Sequence, residues 1–174
     1  MKIHWLSNAP WSTTGYGNQT RLFVPRLVAM GHEITITSFY GLEGSVLNWN
    51  GVRVYPRAFH PYGQDICSTN AQHAGADIMI SLMDTWVCEP QGYKVKWVPW
   101  LPVDMEPLPP IVKDKIQYGF ERIVYSRFGE RMLQDAGLTC KYVPHGVDTD
   151  VFTPLPESKN DCKAKVKFPK DTFI

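Results

Sequence analysis

A glycine-bearing loop near the start of the chain, WSTTGYGNQT (residues 11–20), has residue types suited to holding a ligand. It combines two glycines with several hydroxyl side chains and contains neither an acid nor a base. Small residues such as Gly15 and Gly17 let backbone N–H groups and the start of a following helix approach an anion or a polar ligand closely. The same glycines also suit a tight turn, with Thr13 or Thr14 as a helix N-cap. The residues alone leave both interpretations open.

The glycine spacing also invites comparison with a dinucleotide-binding motif. Gly15, Gly17 and Thr20 match G-x-G-x-x-G only if threonine replaces the third glycine. The loop before Gly15 is too long for the tight turn of that motif, and the next apolar run ends in SFYG without an acid to hold a ribose. The sequence therefore disfavours a nicotinamide-dinucleotide site.

Short apolar runs alternate with amphipathic runs, and this alternation predicts the elements that hold the loop. Strands are predicted at KIHWLS, HEITITSF, DIMISLMD, KVKWVPWLPV, FERIVYS and CKYVPHGVD. The segment GSVLNWNGVRVYP predicts a hairpin that turns at Asn50-Gly51. The first helix should end at Gly31 and carries an unfavourable internal Pro25, while Ser126 is the expected N-cap of a later helix.

The predicted fold class is α/β: a Rossmann-like, mostly parallel sheet with helices on both faces. In such a sheet, ligands bind beyond the carboxyl ends of the strands. Most of the polar and aromatic candidates follow predicted strands, in residues 11–17, 40–43, 84–89, 104–106, 126–127 and 145–148. We therefore expect these segments to form one rim.

Composition narrows the class of protein. With 174 residues, 44% hydrophobic and 20% charged, the chain has a globular composition. A net charge of +1 gives no electrostatic reason to expect a nucleic-acid partner. The four cysteines form no C-x-x-C pair, which argues against a zinc site. Because neither a signal-peptide core nor a membrane-spanning run is present, a cytoplasmic location is expected.

The end of the chain differs in character from the rest. The segment TPLPESKNDCKAKVKFPKD, from Thr153 onward, is rich in proline and lysine, as linkers often are, and DTFI resembles the opening of a strand. We expect a Rossmann-like domain over residues 1–150 and, over 151–174, a linker with the start of a second domain in a longer protein.

Several segments resemble GT-B glycosyltransferases of family 4. The run TTGYGNQTRLFVPRLVAMGHEITI is similar to that family's opening, GADIMISLMDTW to its middle strand, and RIVYSRFGERMLQDAG to its Ser-x-Phe-Gly helix start. The segment YVPHGVDTDVFTPL is the most specific match, to the (Asn/His)-Gly-Val-Asp-x-x-x-Phe-x-Pro exit from the first domain. The resemblance covers nearly the whole chain.

The resemblance implies the acceptor-side half of a retaining enzyme that moves a sugar from a nucleotide-sugar donor to an acceptor hydroxyl. The resemblance implies no metal or other cofactor. The donor would be held mainly by the second domain, so we expect the chain alone to have no catalytic turnover. The acceptor would be a sugar, a lipid or a protein, with peripheral membrane contact left open. Two other functions stay open: a non-catalytic carbohydrate- or ligand-binding module, and a nucleotide-sugar epimerase of the same two-domain plan.

The resemblance also implies roles for single residues. Gly15 and Gly17 would lie near the donor phosphate and the acceptor. Asp104, within WVPWLPVDMEPLPP, stands where many relatives carry a histidine that contacts the transferred sugar; it is the expected catalytic residue, with capping of the next helix as the alternative. Asp84 has the same two interpretations. The remaining expected binding residues are Trp11, Tyr16, Trp86, Arg127 and His145.

Overall fold

The computed structural model describes residues 1–169, and strands alternate with helices along them. The strands are β1 (Lys2–Asn8), β2 (Glu33–Tyr40), β3 (Leu47–Trp49), β4 (Val52–Pro56), β5 (Ile78–Leu82), β6 (Lys96–Leu101), β7 (Ile123–Val124) and β8 (Lys141–Tyr142). The helices are α1 (Gly15–Ala29), α2 (Cys67–His73), α3 (Pro110–Ile116), α4 (Arg127–Asp135) and α5 (Lys159–Lys165). Helix α5 lies in the expected linker, and the strand expected at DTFI lies outside the described residues.

The eight strands form one sheet in the order β3-β4-β2-β1-β5-β6-β7-β8. Every pairing is parallel except that of β3 with β4. That pair is the predicted hairpin, and its turn residues Asn50 and Gly51 have φ angles of 51° and 87°. The predicted α/β, Rossmann-like fold is therefore confirmed. The chain runs from β1 outward in both directions, which puts the switch point of the sheet at β1 and β5.

Side chains of β1 pack into hydrophobic cores on both faces of the sheet. Ile3 and Trp5 pack on one face with Val24 of α1, whereas Leu6 packs on the other face with Ala71 of α2. A strand places successive side chains on opposite faces, so a central parallel strand is buried on both, and every residue of β1 after Lys2 is buried.

Helix α1 ends at the predicted glycine, and one of the two candidate threonines caps its start. Thr14 Oγ1 accepts the Gly17 N–H at 3.0 Å at its start. At its end, Gly31 has a φ of 87° and donates to the Val28 carbonyl, and His32 donates to the Leu27 carbonyl, the pair of bonds that closes a helix through glycine. Pro25 lies inside the helix. The helix therefore tolerates one missing N–H donor.

His4 is a buried histidine of the β1 core. Its Nδ1 lies 2.8 Å from Thr35 Oγ1, and its Nε2 lies 2.7 Å from Thr37 Oγ1. A neutral imidazole has one donor and one acceptor nitrogen, which two hydroxyls can match. Burial lowers the pKa of His4 from 6.5 to about 3. The folded state therefore keeps this side chain neutral where the unfolded state protonates it.

None of the helices in residues 1–169 combines the length and the apolar character needed to span a bilayer.

We predict that His4 makes the fold sensitive to acid. Below pH 6.5 the unfolded chain binds a proton at His4 that the folded chain does not, so the free energy of unfolding falls by up to about 1.4 kcal/mol per pH unit from this residue. Chemical denaturation at stepped pH values measures the slope. His4→Gln should flatten it relative to the wild type, whereas the exposed-site variant His73→Gln should not. Equal slopes for His4→Gln and wild type would contradict the assignment.

Candidate functional site

The glycine-bearing loop is a compact turn fixed to the ends of two strands. The Ala9 N–H donates to the Tyr40 carbonyl of β2 at 2.8 Å, and the Ser12 N–H donates to the Ala9 carbonyl at 3.0 Å. The Asn8 side-chain amide donates to Thr14 Oγ1 at 2.7 Å, so the end of β1 and the cap of α1 share one hydroxyl. The loop therefore holds the start of α1 at the carboxyl edge of the sheet.

The two glycines of the loop differ in what surrounds them. A Cβ built at Gly17 would lie 2.5 Å from the Ser12 carbonyl oxygen and 2.9 Å from that of Ala9, which is too close for any side chain. A Cβ at Gly15 would meet nothing within 4 Å, and Gly15 is exposed in the first turn of α1. Close packing therefore accounts for Gly17 and leaves Gly15 without a structural explanation.

A cavity of about 380 Å³ opens at the switch point, beyond β1 and β5. Its volume lies within the roughly 300–1,000 Å³ typical of small-molecule sites. Asn8, Thr14 and Asp84 supply polar groups to its wall. Asn8 is only 5% exposed, and its Oδ1 is buried without a hydrogen-bond donor among the described residues. A buried acceptor without a donor is unusual, and a ligand hydroxyl entering the cavity could supply one.

Two carboxylates and two tyrosines meet beside this cavity. Burial raises the pKa of Tyr16 well above its usual value, and the nearby Asp84 carboxylate, Tyr125 and Asp104 raise it further. Burial raises the pKa of Tyr125 to about 12, with the carboxylates of Asp84 and Asp104 adding to the effect. Both phenols therefore remain protonated donors at neutral pH, facing a concentration of negative charge. This acid–tyrosine cluster comprises Asp84, Asp104, Tyr16 and Tyr125.

Neither aspartate caps a helix. Helix α3 begins after Pro109 with no side-chain hydrogen bond at its cap, and the short 3₁₀ turn Thr85–Val87 begins after Asp84 with none either. The capping alternative is therefore wrong for both aspartates. Asp84 and Asp104 are exposed, which leaves their carboxylates open to a ligand.

His145 joins the cluster from the segment after β8. Its ring centroid lies 3.9 Å from that of Tyr125 and 5.2 Å from that of Trp100. The adjacent Gly146 is held to α1 by Gln19, whose side chain accepts the Gly146 N–H at 2.8 Å and donates to its carbonyl at 3.0 Å. Burial lowers the pKa of His145, and its buried Nε2 has no partner within residues 1–169. The segment after β8, which contains His145 and Gly146, is thus held beside the first turns of α1.

Arg127 and Trp11, two other predicted binding residues, are not among the residues that line this cavity. Arg127 forms an ion pair with Glu130 at 2.6 Å and lies 3.8 Å over the Tyr142 ring, so its charge is balanced near α4. Trp11 is exposed, donates from Nε1 to the Gly41 carbonyl at 2.6 Å and lines an open groove of about 840 Å³.

Trp86 is also exposed, and its ring centroid lies 6.3 Å from that of Tyr62, a residue of the cavity wall. Trp100, the tryptophan that contacts His145, is instead buried in the core. Ser126 is the predicted N-cap and accepts the Gly129 N–H at 2.9 Å.

Sequence analysis missed Asn8, Gln19 and Tyr125. Asn8 is the last residue of β1 and Tyr125 directly follows β7, so both lie at the carboxyl edge, which is the one signal that could have found them. Gln19 gave no signal, because its partner Gly146 is 127 positions away in the chain. Within residues 1–169 no group of three or more His, Cys, Asp or Glu side chains is arranged to hold a metal ion.

Comparisons with known proteins bear on the fold. No family model matches the chain, and no curated protein matches it. Among solved structures, one titled sucrose-phosphate synthase, from Thermosynechococcus elongatus, is similar with a TM-score of 0.55 and 12% identity, over 87% of this chain and 92% of that chain. At this identity the similarity shows a shared fold alone: the chain has a Rossmann-like α/β fold similar to that of this solved structure.

We predict opposite effects of alanine at the two loop glycines. Gly17→Ala should lower the free energy of unfolding by about 1–3 kcal/mol, because its Cβ collides with two backbone oxygens. Gly15→Ala should change it by no more than about 1 kcal/mol, in the stabilising direction, because alanine favours the helix and meets no neighbour. Chemical denaturation measures both. Similar destabilisation by the two variants would refute the close-packing explanation.

Proposed function

We propose that the chain is the acceptor-binding half of a retaining, family 4 GT-B glycosyltransferase, which moves a sugar from a nucleotide-sugar donor to an acceptor hydroxyl. A second, donor-binding domain would complete the enzyme. The observation that carries the proposal is the cavity at the switch point, whose wall brings Asp84 beside Tyr16 at the start of α1, with Asp104 near enough to contribute to the raised pKa of Tyr16. The similarity of fold to a glycosyltransferase domain supports it.

The start of α1 is suited to the departing diphosphate. The helix has no acidic residue in its first turn, and of the backbone N–H groups of that turn the hydroxyl of Thr14 accepts that of Gly17. The N–H groups of Gly15 and Tyr16 lie before Gly17 in this first turn, and Gly15 is exposed with open space where a side chain would stand. A helix N-terminus carries a partial positive charge, so it favours the phosphate oxygens on which negative charge grows as the donor bond breaks.

Asp104 is assigned the catalytic role. Glycosyl transfer passes through an oxocarbenium-like state, in which the anomeric carbon becomes positive. A carboxylate free of a capping bond, such as that of Asp104, can stabilise this charge. The C–O bond to the diphosphate breaks, the acceptor oxygen bonds to the anomeric carbon, and the acceptor proton passes to a phosphate oxygen of the leaving group. The reaction so written needs no metal.

Asp84 and Tyr16 are assigned to the acceptor. The carboxylate of Asp84 lies on the wall of the cavity and beside the hydroxyl of Tyr16. A carboxylate accepts hydrogen bonds from sugar hydroxyls and so fixes which of them faces the donor. His145, packed on Tyr125, supports this side of the site and lies close to the exit toward the second domain.

The proposal predicts that Asp104 affects turnover rather than folding. In the complete protein, release of nucleoside diphosphate from a panel of nucleotide sugars identifies the donor. Asp104→Asn should then lower kcat about 10²–10³-fold, because the growing positive charge loses its carboxylate. Its melting temperature should stay unchanged, because Asp104 is exposed and caps no helix. Asp114→Asn, an exposed aspartate within α3, is the matched control and should leave kcat unchanged.

Two results would contradict the proposal. One is an unchanged kcat with a lowered melting temperature for Asp104→Asn, which would make Asp104 a structural residue. The other is tight, stoichiometric binding of a nucleotide sugar by the 174-residue chain alone, which would contradict the assignment of the donor site to a second domain.

A further inference from the structure

The cavity beside Asp84 adjoins the open groove beside Trp11. Phe39, Tyr40 and Pro61 line both, so the two spaces share one wall. The groove, at about 840 Å³, has more than twice the volume of the cavity, at about 380 Å³. The groove is therefore the neighbouring space available to a ligand that is longer than the cavity.

The inner cavity offers hydrogen-bond acceptors and apolar surface. Asp84 contributes a carboxylate, and the buried Asn8 contributes an Oδ1 that no donor within residues 1–169 reaches. Aromatic and aliphatic side chains form most of the remaining wall, and none of its described residues is basic. Such a wall favours an uncharged ring with hydroxyls on its edge and C–H groups on its face, and it disfavours a phosphate, which the Asp84 carboxylate repels.

The outer groove offers a fixed aromatic surface and a balanced ion pair. Trp11 is 41% exposed, and its bond from Nε1 to the Gly41 carbonyl holds the indole in place. Arg57 and Glu43, also on the groove, pair at 2.9 Å. The pair provides donors and acceptors for hydroxyl groups without a net charge. An immobilised indole can pack against the apolar face of a sugar ring at little entropic cost.

We propose that the acceptor is an uncharged oligosaccharide of at least two sugar units. Its terminal ring enters the cavity beside Asp84, and the next ring lies against Trp11 in the outer groove. This inference rests on the proposed function, because it assigns the acceptor of that same site.

Binding measured by calorimetry on the 174-residue chain tests the inference. The probes are glucose, galactose and mannose, their di- and trisaccharides, and their 6-phosphates. In at least one of the three series, affinity should rise about tenfold from the monosaccharide to the disaccharide, as the second ring reaches Trp11. The 6-phosphate of the same hexose should bind about tenfold more weakly than the free hexose.

Two variants separate the inner and outer sites. Trp11→Ala should lower disaccharide affinity about tenfold and leave monosaccharide affinity unchanged, whereas Asp84→Asn should weaken both. Trp11→Phe, which keeps an aromatic ring, should retain part of the disaccharide preference and serves if Trp11→Ala folds poorly. Phe120→Ala removes an aromatic ring that is also exposed and packs on Lys96, and it should change neither affinity.

Equal affinity for one and two sugar units, tighter binding of the 6-phosphates, or no saccharide binding would each overturn the inference. Nucleoside diphosphate release by the complete protein distinguishes this failure from failure of the proposed function. Release with a lipid or protein acceptor, without saccharide binding, overturns the inference alone. If saccharide binding depends on length but no donor yields nucleoside diphosphate, the acceptor role and the proposed function are both overturned. The chain would then be a carbohydrate-binding module.

Discussion

The close approach of Gly17 to the carbonyl oxygens of Ala9 and Ser12 determines the geometry at the centre of the molecule. Because no side chain separates these atoms, the loop of residues 9–14 can fold tightly between the end of β1 and the start of α1. Thr14 then receives hydrogen bonds from both Asn8 and Gly17, which fixes the first turn of the helix to the strand end. That turn carries Tyr16 to Asp84, so the tight contact in the loop places the acid–tyrosine cluster at the switch point of the sheet.

The distribution of charge around this edge is uneven. Asp84 and Asp104 are exposed carboxylates, whereas Arg57 and Arg127 are each paired with a glutamate. The described wall of the cavity therefore favours neutral, hydroxyl-bearing groups, and the start of α1 provides its main attraction for an anion. A diphosphate needs more positive charge than one helix start supplies. This requirement is the physical reason for proposing that basic residues of another domain complete the site.

Much of the fold was predictable, because glycines and polar turns mark the element boundaries. Gly31 and the Asn50-Gly51 turn were located correctly, and the rule for parallel sheets predicted the edge at which the cavity opens. The last two strands are shorter than the runs FERIVYS and CKYVPHGVD suggested, because only two residues of each pair within the sheet.

The site itself was less predictable, because its contacts join residues distant in the chain. Whether an aspartate caps a helix, or a glycine is packed or free, depends on neighbours that spacing does not reveal, as Asp104 and Gly17 illustrate. The central claim, that the carboxyl edge forms one wall of a sugar-transfer site, is tested most directly by a crystal structure of the complete protein with a nucleotide sugar. The account predicts that the transferred sugar lies against Asp104, with its phosphates directed toward the N–H of Gly15. A donor bound so that its sugar reaches neither Asp104 nor the start of α1 would contradict it.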